Sequence, residues 1–116
     1  MSDLQNYNEE TQELFLKFLI SDPDLFSRCA NIVEPDYFNI KYRNAVKLFQ
    51  SHATDFNAIP TPEQVSAASG VSLEPIENIT SDHHDWFLRE FETFCRHKAL
   101  EKAIIESTDL LENQEY

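Results

Sequence analysis

The sequence predicts an all-α protein: a small helical bundle closed by one long C-terminal helix that also projects from it. Two observations lead there. The span Ser81–Glu112 contains no Gly or Pro, and its apolar residues recur in steps of three and four, the period of a helix. The chain as a whole holds one Gly and five Pro, and most of its nine Phe sit at helical spacing, a pattern of core rather than of strands.

The long helix comes first because the rest is arranged around it. About 30 residues at 1.5 Å each give roughly 45 Å, against the 8–20 residues of most globular helices. Ser81 and Asp82 are expected to cap it, and Asp82 and Asp85 place negative charge near the positive end of its dipole. Its apolar face is aromatic at first, with Phe87, Leu88, Phe91, Phe94, Cys95 and Ala99. It then turns aliphatic and small, with Leu100, Ala103, Ile104, Leu110 and Leu111. That change suits a helix with a globular core as its first neighbour and another helix as its second.

The remaining elements follow in order. Residues 1–8 read as a disordered lead, 9–80 as the globular bundle, 81–112 as the long helix and 113–116 as a tail. A first helix begins at Glu9, with Leu14, Phe15, Phe18 and Leu19 on one face, and stops near Ser21. Asp22-Pro23 restarts a helix, aspartate as cap and proline at the first position. Leu25, Phe26, Cys29 and Ala30 face inward until Glu34-Pro35 breaks it. Asp36-Tyr37-Phe38 forms a single turn. Asn39 caps a third helix from Ile40 to His52 or Phe56, with Tyr42, Ala45, Val46, Leu48 and Phe49 inward. Thr61-Pro62-Glu63-Gln64 is a capping box for a short helix that Gly70 ends. Between Ser72 and Thr80 one more short helix, Leu73 to Asn78, is expected.

Composition excludes several functions. A net charge of −12 opposes a broad grip on nucleic acid, which needs a basic patch. No apolar run approaches the length of a membrane span, and the acidic, polar start is not an export signal. Cys29 and Cys95 both fall on apolar faces and read as free, buried thiols of a cytoplasmic protein. One glycine permits no phosphate-cradling loop. His83 and His84 point about 100° apart on a helix, a poor metal pair, and Cys95 and His97 also lie on different faces. With no nucleophile elbow and no convergent carboxylates, no enzyme, cofactor or metal is expected in this chain.

Three segments together resemble a known family. They are Pro35-Asp36-Tyr37-Phe38-Asn39-Ile40-Lys41-Tyr42-Arg43-Asn44-Ala45-Val46, then Ala58-Ile59-Pro60-Thr61-Pro62-Glu63-Gln64-Val65. The third is Trp86-Phe87-Leu88 followed by Cys95-Arg96-His97-Lys98-Ala99-Leu100-Glu101-Lys102-Ala103. In order and spacing they resemble the N-terminal domain of DnaB-like replicative DNA helicases over residues 10–112. The likeness is closest to those of T-even-type phages, through Asp82-His83-His84-Asp85-Trp86. Arg43 matches the family arginine; Tyr42 stands where many bacterial members have histidine.

The resemblance implies a bundle followed by a helical hairpin, of which the long helix is the first arm. It also implies a six-membered collar that positions primase or a helicase loader, with ATP hydrolysis left to a separate C-terminal motor. This chain is then expected to carry the collar module alone, without the motor or the second hairpin helix. Charge and the matched segments nominate Lys41, Arg43 and Lys47 on one helix, and Arg96, Lys98 and Lys102 on the arm, as partner-binding. The aliphatic stripe Leu100, Ala103, Ile104, Leu110 and Leu111 lacks a partner in this sequence. Weak dimerisation through residues 99–111 is therefore expected, unless the end of the helix frays. The alternatives are a free-standing acidic helical protein that regulates or inhibits such a helicase, and an unrelated acidic helical protein that binds another protein or mimics DNA charge.

Overall fold

A computed structural model describes residues 7–113, with side chains as far as Thr108. Its elements are α1 (Glu9–Ser21), α2 (Pro23–Cys29), a 3-10 turn (Pro35–Tyr37), α3 (Ile40–Phe56), α4 (Pro62–Ser69) and α5 (Ser81–Asn113). Among the described residues there is no strand, and the fold is the all-α bundle that the sequence predicts. The molecule measures 57 × 34 × 22 Å, elongated because α5 has 33 residues.

The core is aromatic where α1 meets the first half of α5. Phe15 is fully buried and meets Phe91 edge-on at 5.3 Å, Phe87 at 5.9 Å and Phe94 at 5.3 Å. Phe87 and Phe91 stack at 5.2 Å, one helical turn apart. Phe38, just past the 3-10 turn, joins at 5.2 Å from Phe94. Phe26 and Phe49 link α2 to α3, and Val65 seals α4 onto the bundle.

The predicted caps form. Asp22 accepts from the Asp24 N–H at 3.0 Å, Asn39 from the Lys41 N–H at 3.1 Å, and Thr61 and Gln64 satisfy each other's backbone N–H groups. The helix at Ile40 runs to Phe56 because Asn57 turns left-handed at φ 56°. Gly70, at φ 77°, ends α4.

Five details differ from the sequence expectation. Tyr7 and Asn8 are not a disordered lead: the Tyr7 ring lies 5.1 Å from Phe94, and Asn8 caps α1 through the Thr11 N–H. Residues 1–6 of that lead, and 114–116 of the tail, lie outside the described residues. No helix forms over Leu73 to Asn78. The Ile76 N–H is held by Ser21 Oγ at 2.7 Å, and Asn78 turns left-handed at φ 59°, so the segment runs across the end of α1 instead. Thr80 rather than Ser81 or Asp82 caps α5. The Thr80 hydroxyl accepts from the His83 N–H while His83 Nδ1 accepts from the Thr80 N–H, an imidazole serving where a capping box has Glu or Gln. Ala30, just past the end of α2, and Ala99, at the rim of a hollow beside Ile32 and Tyr37, are exposed rather than inward. Finally, α5 ends at Asn113.

Both thiols are free and buried, and burial pushes each up to about 12. Their stabilising protonated form is complete below the ordinary thiol value near 9 and is lost as pH rises toward 12. Burial shifts Tyr7, Tyr37 and Tyr42 the same way, so only a comparison isolates the thiols. Denaturant unfolding should show stability falling across that alkaline window in the native chain, and falling less steeply in a Cys29→Ala/Cys95→Ala variant. Parallel pH profiles would contradict the burial of the thiols.

Candidate partner-binding face

Gln12 sets the geometry of the nominated face. It is the one buried polar side chain among the described residues. Its Nε2 donates to the Tyr7 carbonyl at 2.9 Å, and its Oε1 accepts from the Asn39 N–H at 2.6 Å. One side chain therefore ties the chain's entry, α1 and the start of α3 together. From that start Arg43 reaches back over the 3-10 turn, and its Nε donates to the Phe38 carbonyl at 3.0 Å. Because Phe38 is anchored on Phe91 and Phe94, the turn and Arg43 are brought against α5.

The result is a groove of about 480 Å³ between the turn and the middle of α5. Arg43, Lys98 and Lys102 line it, with Asp36, Glu101 and Glu106 interspersed and Tyr37, Phe38 and Ile105 as its apolar parts. Lys98 lies 3.5 Å from Glu101, and Lys102 3.8 Å from Asp36. Three cations against three carboxylates make a mixed surface. It is not the concentrated positive field that holds phosphates.

The six nominated cations thus divide. Arg43, Lys98 and Lys102 share the groove. Lys41 is turned away to Glu9 at 2.9 Å, and that bond raises its pKa. Lys47 is exposed and forms no ion pair among the described residues. Arg96 pairs with Glu92 at 3.4 Å and lines a separate hollow beside Cys95. Exposed pairs of this kind contribute at most about 1 kcal/mol.

On the nominated stripe, Leu100, Ala103 and Ile104 are exposed, as is Ile105. Leu100 is 60% and Ile104 56% accessible, high values for large apolar side chains. The side chains of Leu110 and Leu111 lie outside the described residues. At about 100° per residue, Leu100, Ala103 and Ile104 fall on the opposite side of α5 from Lys98, Lys102 and Ile105. The arm has two faces of different chemistry.

The histidines have structural partners. His83 caps α5, and His84 Nε2 meets Asp22 Oδ2 at 2.9 Å, fastening the start of α5 to the α1–α2 junction. Among the described residues no cluster of three or more His, Cys, Asp or Glu could hold a metal.

Sequence reading missed Gln12, Asp36 and Ile105. Gln12 carried a signal: it sits on the stripe with Phe15, Leu16 and Leu19, a polar residue at an apolar position. Asp36 and Ile105 carried none, because only the packing of the turn on α5 brings them together.

Comparison with protein-family models, curated proteins and solved structures finds no match to this chain.

Replacing Gln12 with Ala leaves the partly buried Asn39 N–H and Tyr7 carbonyl without their partner. Loss of about 1–3 kcal/mol in unfolding free energy is expected. Amide chemical shifts should move at Asn39, Lys41 and the groove residues behind them. An unchanged Asn39 amide would show that Gln12 does not position the face.

Proposed function

We propose that the chain is the collar module of a DnaB-like replicative DNA helicase of the T-even phage type. In this reading it works in the host cytoplasm and carries out no chemistry of its own. It joins other helicase subunits and recruits primase or a helicase loader during DNA replication. The supporting observation is α5, whose first half belongs to the core while its second half presents apolar residues to solvent. The three family-like segments supply the rest. They coincide with the 3-10 turn and start of α3, the cap and first turn of α4, and the part of α5 that crosses from core to solvent.

Leu100 and Ile104 are suited to an apolar helix from another subunit, since burying each such side chain is worth about 1.5–3 kcal/mol. Contact through them makes assembly a packing event. The groove on the other side stays available for a recruited protein. No described helix is long and apolar enough to cross a membrane.

Sedimentation of the chain with the full-length helicase and primase of a T-even-type phage tests this. Co-migration with the helicase ring or the primase is expected. Leu100→Asp/Ile104→Asp should weaken ring entry by roughly tenfold or more. Binding that slows unwinding without ring entry would favour the free-standing regulator. A monomer that binds neither protein would overturn both.

A further inference from the structure

The groove beside Arg43 has features that assembly through the apolar stripe does not use. Arg43 is half-buried and spends only Nε on the Phe38 carbonyl. Its two Nη atoms make no hydrogen bond or ion pair among the described residues, so the planar end of the guanidinium is open for a bidentate carboxylate. Lys98 and Lys102 line the same groove. Their carboxylate partners stand at 3.5 and 3.8 Å, beyond the 2.7–2.9 Å of a close charge-assisted bond. An incoming carboxylate could displace Asp36 and Glu101 without breaking a tight contact. Next to these cations lie apolar atoms of Tyr37 and the exposed Ile105.

From this arrangement we infer that the groove between the 3-10 turn and α5 binds a short acidic-apolar segment of a partner protein, a carboxylate on Arg43 and Lys102 with an adjacent aliphatic side chain on Ile105. Charge complementarity selects this occupant. Arg43 is the groove's open donor, and Lys98 and Lys102 are held only by the long contacts to Glu101 and Asp36. A nucleic-acid backbone is disfavoured because each phosphate brings charge but no apolar group to meet Tyr37 and Ile105. The groove and the Leu100–Ile104 stripe lie on opposite sides of α5, so the segment binds whether or not the stripe is covered. The identification of the partner as a recruited replication protein rests on the collar reading; the chemistry of the groove does not.

The test is a titration of the ¹⁵N-labelled chain with a blocked peptide of alternating leucine and glutamate, read by amide chemical shifts. Saturable shifts confined to Tyr37–Arg43 and Lys98–Glu106 are expected. The glutamine counterpart of the peptide should bind roughly tenfold more weakly, and so should the glutamate peptide to Lys102→Glu, an exposed change that spares the fold. Arg43→Lys should also weaken binding, because it keeps the charge and removes the fork. The Leu100→Asp/Ile104→Asp variant should bind as the native chain does. No shifts at millimolar peptide, equal binding of the glutamine peptide, indifference to Lys102→Glu, or loss of binding in the stripe variant would each overturn the inference. These outcomes are independent of ring entry, so the groove and the collar reading can fail separately.

Discussion

The structure depends on the aromatic seam in which Phe15 of α1 is enclosed by Phe87, Phe91 and Phe94 of α5. Each aromatic pair adds about 0.5–1.5 kcal/mol beyond the area it buries. Through this seam the first half of α5 becomes part of the bundle. Phe38 extends it to the 3-10 turn, and the turn in turn carries Asp36, Tyr37 and the Arg43 contact. The groove is therefore a consequence of core packing: its position follows from where one phenylalanine is buried.

Beyond Cys95 the aromatic seam ends, and the helix keeps only the sparse contacts of Tyr7 and the 3-10 turn on one side, His97 near Tyr7 and Lys102 near Asp36. An isolated helix shorter than about 12–15 residues is marginal in water, and the stretch after Ala99 is of about that length. Its Leu100 and Ile104 gain nothing from the bundle, and the Lys98–Glu101 pair adds only a few tenths of a kcal/mol. The free half is held by its continuity with the anchored half. Its stability is left open to whatever covers the apolar side. That is the physical basis for reading it as an assembly surface, and the mixed-charge groove behind it as a second surface available at the same time.

Much of the fold was legible in the sequence because local rules and tertiary packing agree here. Asp22-Pro23, Asn39, the Thr61–Gln64 box and Gly70 each mark a boundary through chemistry confined to a few residues. The long helix declared itself by period and by the absence of breakers. Where the sequence misled, a contact from elsewhere in the chain decided the outcome. Ser21 takes the Ile76 N–H and prevents a helix that Leu73 to Asn78 alone would permit. At the start of α5 the deciding contact is local instead, the Thr80 hydroxyl and His83 ring replacing the expected caps. Tyr7 is ordered because an aromatic pocket awaits it. The face was legible only in part: charge found Arg43, Lys98 and Lys102, but it could not tell them from Lys41, Lys47 and Arg96, whose directions depend on Glu9, solvent and Glu92.

The most direct test of the claim that the second half of α5 is a surface to be covered is amide hydrogen exchange resolved along that helix. In the dilute chain, Phe87–Cys95 should exchange only through global unfolding, while Leu100–Thr108 should exchange orders of magnitude faster. Raising the concentration, or adding helicase subunits, should slow the second group and leave the first unchanged. Uniform protection along α5 in the dilute chain, insensitive to concentration and partners, would contradict it and mean that the exposed apolar face needs no neighbour.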